Sequence, residues 1–150
     1  MILDKDTIKT LAKHLSKYTF YMEQINDLEV EIINNSSSDI NSGIRSKNKV
    51  SRTTEDIAIA LASSKELSRL KAITKAIDDL RIELLNDENR AKLKLLNYKY
   101  LNQASKVSDL YVMQRITDEG YPLPSNAYYT MKEKILYRFE KLLNDAGIKT

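Results

Sequence analysis

Asn126, Tyr129, Thr130 and Glu133 stand near the start of an amphipathic pattern that opens at Ser125, and they are the side chains of this chain best suited to meet base edges. A planar amide can bond bidentately to adenine, and a carboxylate can accept from the amino group of cytosine. Ser125 and Tyr128 fall in the same opening turns. Lys132, Lys134, Tyr137 and Arg138 follow, with groups suited to phosphates, which fix register without reading sequence. Such chemistry needs a helix whose N-terminal half enters a major groove, preceded by a second helix across the backbone. An ordinary amphipathic helix with a solvated polar face would show the same spacing, so these residues alone leave both readings open.

The elements that must position these residues follow from the apolar spacing. A short helix over 108–116 would pack through Val107, Leu110, Tyr111, Met113 and Ile116. The turn Gly120-Tyr121-Pro122-Leu123-Pro124 follows it, longer than the three or four residues of a tight helix-turn-helix. Tyr128, Met131, Ile135, Phe139 and Leu142 form the buried stripe of the second helix, with Ser125 or Pro124 at its start and Gly147 as its C′ residue.

Upstream, Asp6 or Thr7 caps a first helix whose stripe continues through Tyr18, Tyr21, Ile25, Leu28 and Ile32. Asn34, Asn35 and Ser36 to Ser38 are expected to stop it, because their side chains compete for backbone hydrogen bonds. Thr53 or Thr54 restarts a long helix with Ile57, Leu61, Leu70, Ile73, Ile77, Leu80 and Leu84 on its stripe. Asn86, Asp87 and Glu88 break and recap the chain, and a further helix reaches about Leu101 through Leu93, Leu96 and Tyr100. The expected fold is all-α: an antiparallel long-helix arm over 1–104, with a polar linker at 34–53, and a helix-turn-helix region over 105–150. A helix as long as the one that starts at Thr53 or Thr54 must pair with the N-terminal helix, with a symmetry mate or with both, so a homo-oligomer is expected.

The composition excludes several function classes. With 3 Gly and 2 Pro in 150 residues, few positions break helices, and with no Cys there is neither a disulfide scaffold nor a thiol nucleophile. His14 is read as a surface side chain, and the neighbours Asp78-Asp79 and Asp87-Glu88 diverge around their helices instead of converging on a metal. No P-loop, dinucleotide fingerprint or Ser-His-Asp set is present, so no enzyme, cofactor or metal is expected. No apolar run approaches the roughly 20 residues that span a bilayer, and residues 1–6 lack a signal-peptide core, which gives the expectation of a cytoplasmic protein with no membrane partner. The net charge of +3 is concentrated in the linker, where Arg45, Lys47, Lys49 and Arg52 stand against Asp39 alone. Those four are candidate phosphate contacts.

The order of features resembles the ArpU/RinA family of phage late-gene transcriptional regulators. Four stretches carry the resemblance: Tyr18-Thr19-Phe20-Tyr21 with Ile25, Leu28 and Ile32; Gly43-Ile44-Arg45-Ser46 with Val50-Ser51-Arg52-Thr53-Thr54-Glu55; the long helix ending in Asn86-Asp87-Glu88 and followed by Leu95-Leu96-Asn97-Tyr98-Lys99-Tyr100; and the closing Lys134-Ile135-Leu136-Tyr137-Arg138-Phe139. The resemblance implies a DNA-binding module similar to the fourth, promoter-reading region of sigma factors, attached to a helical arm. It implies a sequence-specific, double-stranded DNA-binding activator of phage or prophage late genes in a bacterial host, with RNA polymerase as a further partner. It places Ser125, Asn126, Tyr128, Tyr129 and Lys132 where the family's reading helix starts. Thr130 and Met131 stand where the family usually carries an Arg-rich patch. Two other readings fit the same helices: a small terminase subunit for DNA packaging, and an interaction module without DNA binding that would depend on Ile73 and Ile77.

Overall fold

The computed structural model describes the backbone of residues 3–41, 54–101 and 107–149, and the side chains of 3–32, 59–101 and 107–149. Every regular element among them is helical, as the composition predicts: α1 (Lys5–Ser16), α2 (Tyr18–Asn41), α3 (Thr54–Leu85), α4 (Arg90–Leu95) continued by a π turn (Leu96–Tyr100), α5 (Asp109–Asp118) and α6 (Ser125–Asp145). The chain divides into two units, one of Met1–Thr19 with Ala72–Thr150 and the other of Phe20–Lys71.

The first unit holds α1, α4, α5, α6 and the C-terminal part of α3. Its core takes Leu11 and Leu15 from α1, Ile73, Ile77, Leu80 and Leu84 from α3, Leu95, Leu96 and Tyr100 from α4 and the π turn, Val112 and Ile116 from α5, and Tyr128, Met131, Ile135, Leu136, Phe139 and Leu143 from α6. α4 packs on both α5 and α6, while α1 covers α6 and the π turn. The π turn is a local widening marked by the bond from Leu101 N–H to Leu96 O at 3.0 Å. It brings Leu95, Leu96 and Tyr100 to one side, which a regular helix would spread apart.

Several expectations are corrected here. α1 is capped by Asp4, not by Asp6 or Thr7: the Asp4 carboxylate accepts from Thr7 N–H at 2.7 Å. The first stripe is interrupted at Lys17, which still donates to Lys13 O at 3.1 Å, so the interruption costs little helical bonding. α2 runs through Asn34–Ser38 to Asn41, since Ser and Asn are only mildly unfavourable inside a helix. Asn89 caps α4: its Oδ1 accepts from Ala91 N–H, while Asp87 accepts from Asn89 N–H. His14 is buried, not at the surface. Ile73 and Ile77 are fully buried, so polar substitutions there would disrupt this core and could not isolate partner binding.

The face of α5 also differs from its pattern. Ser108 Oγ accepts from Tyr111 N–H at 3.1 Å, and this start turns Val112 and Ile116 inward. Leu110 and Tyr111, expected to pack, are 70% and 52% exposed. On α6 the buried residue of the last turns is Leu143, with Leu142 half-buried.

In the second unit, Tyr21, Ile25 and Leu70 are buried. Lys71 reaches Glu29 at 3.8 Å, and Phe20, Met22, Val30, Ile59 and Leu61 are exposed.

Both α5 and α6 end in the same motif. After α5, Gly120 N–H bonds Thr117 O and Tyr121 N–H bonds Ile116 O; after α6, Gly147 N–H bonds Asn144 O and Ile148 N–H bonds Leu143 O. The glycines sit at φ 100° and 84°, the left-handed conformation this termination requires. A Cβ added at either would meet nothing within 4 Å, so only the backbone penalty remains. Gly147→Ala is expected to lower stability by about 1 kcal/mol, with Gly147→Asn costing less, as read from urea midpoints.

Candidate nucleic-acid interface

α6 begins where Pro124 holds extended backbone and its carbonyl accepts from Tyr128 N–H at 2.9 Å. Tyr128 is wholly buried, and its hydroxyl donates to Asp109 Oδ1 at 2.7 Å. Lys132 Nζ donates to Asp109 Oδ2 at 3.1 Å. Lys99, from the π turn, approaches Asp109 Oδ1 at 3.2 Å and donates to Val107 O at 2.7 Å. One carboxylate at the start of α5 therefore gathers α6 and the π turn. Burial raises the Asp109 pKa, but the hydrogen bonds from Tyr128, Lys132 and Lys99, with the Lys132 charge, outweigh it and hold the carboxyl below its ordinary value. Burial pushes the Tyr100 and Tyr128 phenols upward, and the Asp109 charge adds to both.

A second carboxylate fixes the other end of α5. Tyr98 OH lies 2.9 and 2.8 Å from the two oxygens of Glu119, Lys94 pairs with the same group, and Arg115 reaches it at 3.4 Å while lying 4.0 Å over the Tyr98 ring. These cations offset the poor placement of an acid at a helix C-terminus. A third, Glu83 of α3, takes both Nε and Nη2 of Arg138 in a fork.

These contacts sort the residues expected to face nucleic acid. Tyr128 belongs to the core, which corrects its placement on the reading face. Lys132 and Arg138 are engaged by Asp109 and Glu83, and Tyr137 is half-buried with Lys141 Nζ 6.0 Å over its ring. Ser125, Asn126, Tyr129, Thr130, Glu133 and Lys134 are exposed. Of these, Asn126, Tyr129, Thr130 and Glu133 follow i, i+3, i+4, i+7 spacing and share one face. Arg45, Lys47, Lys49 and Arg52 lie outside the described residues.

Asn126, Thr130 and Lys134 also line a groove of about 310 Å³ whose other wall includes Asn89 and Lys92. Lys92, Met131 and Lys134 line a second groove as well, of about 220 Å³, together with Glu83, Asp87 and Arg138. Asn89 and Lys92 had no signal in sequence beyond their place after a helix break. Asp109 and Glu119 carry little signal in sequence, because all their partners but Arg115 are 10 to 25 residues away. No three His, Cys, Asp or Glu residues among the described ones gather to hold a metal, and no described helix is long and apolar enough to cross a membrane. No family model, curated protein or solved structure matches this chain.

The carboxylates of Glu83, Asp87, Asp109 and Glu119 are all held below their ordinary values. Above those ordinary values their stabilisation is fully present; as pH falls, the unfolded chain takes up protons first and stability is lost until the folded carboxylates titrate too. Asp109→Asn should lower stability at neutral pH and flatten this acid limb in urea melts taken across the carboxylate range; an unchanged limb would count against the role of Asp109. Tyr128→Phe, which removes a hydrogen bond to a charged group while keeping the ring, should cost about 2 kcal/mol in the same assay.

Proposed function

We propose that this chain is a sequence-specific, double-stranded DNA-binding regulator of transcription in which α6 is the reading helix. α5 and α6 would form the helix-turn-helix and α4 with the π turn its supporting helix. The observation that carries this reading is the exposed row Asn126, Tyr129, Thr130 and Glu133 on a helix held on three sides by Asp109, Glu83 and the core. A reading surface needs polar groups that are solvated before binding but fixed in direction, and a clamped helix gives both. The connection of residues 119–124 is six residues long, closed by Gly120 and started again by Pro124, so the two helices would form a long-turn variant of the motif.

The resemblance to the ArpU/RinA family narrows the proposal to an activator of phage or prophage late genes, similar to the fourth region of sigma factors and working with RNA polymerase. α2 and α3 would form the antiparallel arm. The exposed Phe20, Met22, Val30, Ile59 and Leu61 support an arm that associates with another copy, because apolar side chains of this size gain by being covered.

The test is a mobility shift with duplex DNA from upstream of the chain's own gene and an unrelated duplex of equal length, each at two salt concentrations. The expected result is preference for the first duplex and affinity that falls steeply with salt. Asn126→Ala with Tyr129→Ala should reduce the preference while lowering the melting temperature only slightly, because both residues are exposed and give up just the Asn126 bond to Ala127 N–H and the edge contact of Tyr129 with Tyr128. Absence of binding to either duplex at low salt would end the DNA reading and leave the arm's association as the activity to pursue.

A further inference from the structure

The groove between α6 and the start of α4 brings Asn126 and Thr130 of the exposed row together with two lysines and an amide that base reading does not use. Asn126, Thr130 and Lys134 recur every four residues and so stack along one edge of α6, and all three line the groove. Across from them stand Asn89 and Lys92. Asn89 commits its carbonyl oxygen to Ala91 N–H at 3.1 Å, which leaves its amide NH2 as a donor. Lys92 spends one ammonium proton on Asp87 at 2.9 Å and keeps two. Lys134 has no ion-pair partner among the described residues, unlike Lys132 and Arg138 on the same helix.

We infer that this groove is the seat for one backbone phosphate of the bound DNA strand, with Lys134 supplying its charge and Lys92 and Asn89 closing the opposite wall. The inference rests on the DNA-binding reading and adds to it a contact from outside the reading helix. The chemistry of the lining favours an anion: its open groups are ammonium, amide and hydroxyl donors, no acid lines it, and the two acids of the neighbouring groove, Asp87 and Glu83, are taken by Lys92 and Arg138. A volume of about 310 Å³ has room for a phosphate together with part of its sugar. A strand seated there would run beside the edge of α6, with Tyr129 and Glu133 on the neighbouring part of the exposed face. Phosphate and base contacts would thus come from neighbouring positions of one helix, and the phosphate would set the register in which the bases are read.

The variant that tests this is Lys134→Met, which removes the charge and keeps the length of the exposed side chain. Its affinity should fall by a similar factor for both duplexes of the mobility shift, and the slope of log affinity against log salt should become shallower by about one. Lys75→Met, an exposed lysine of α3 that does not line the groove, should leave the slope unchanged. Lys92→Met should act in the same direction as Lys134→Met, with circular dichroism melts confirming that each variant is folded. If the wild-type chain binds DNA and Lys134→Met keeps the full slope, the phosphate seat is wrong and the DNA reading survives. If the wild-type chain binds neither duplex, both fall together. Titration of the wild-type protein with inorganic phosphate alone, followed by the amide resonances of Asn126 and Thr130, separates a strand phosphate from a free anion. No saturable shift is expected, and a saturable one would make the groove a small-anion site and overturn the strand assignment.

Discussion

The Asp109 carboxylate is the interaction on which the arrangement of the C-terminal helices depends. It sits in the first turn of α5, where a negative charge is favoured by the exposed amides, and takes the Tyr128 hydroxyl, the Lys132 ammonium and the Lys99 ammonium. α5 and α6 are joined by a six-residue connection that by itself fixes no angle between them. The bond to a fully buried Tyr128 does fix it, because the phenol is held by the core and its hydroxyl can reach only one place. Lys99 brings the π turn to the same oxygen and donates to Val107 O just before α5. Three segments thus converge on one group, and the opposite end of α5 is tied to α4 through Glu119.

This clamp sorts the surface of α6 into distinct rows. One row fills the core, a second carries the cations bound by Asp109 and Glu83, and a third is exposed. The exposed row is what remains after packing and ion pairing have been satisfied. Within it Asn126 accepts from Ala127 N–H and Tyr129 meets the Tyr128 ring edge-on at 5.2 Å, while the row as a whole stays solvated, and that is the physical basis for proposing a binding face.

Much of this was visible in the sequence where it rests on local rules. The α3 stripe from Leu70 to Leu84, the Ser108 start of α5, the stripe of α6 and the Gly147 termination all follow from helical periodicity and capping, which act within a few residues. The π turn, the break at Lys17 and the inward turn of Val112 were not visible: apolar spacing alone gives no sign of a widened turn or of a one-residue break, and on α5 it does not say which of two adjacent apolar faces the cap turns inward. Asn34–Ser38 misled for the opposite reason: strong cap preferences are only weak penalties inside a helix, and α2 continues through them. On α6, helical spacing puts Asn126, Tyr129, Thr130 and Glu133 on one face, which is exposed, and Tyr128 on the buried stripe, but it could not show that Lys132 and Arg138 are occupied. Nothing within ten residues of Lys132 announces Asp109.

The degree of occupation matters for what those cations can still do. Lys99, Lys132 and Asp109 are only 20 to 25% exposed at their side chains, so their pairing is shielded from solvent and exchanging it for a phosphate would leave Asp109 partly buried and uncompensated. Arg138 and Glu83 are 44% and 42% exposed, a setting in which ion pairs contribute little and water can replace either partner. Arg138 can therefore be released to a phosphate at small cost, while Lys132 cannot. It lines the groove that also holds Lys92 and Lys134, so an anion drawn in by Lys134 would meet a guanidinium with a weakly held partner. The charge that α6 can offer an anion is then larger than its unpaired side chains suggest and smaller than its sequence suggests, with the line between the two drawn by burial.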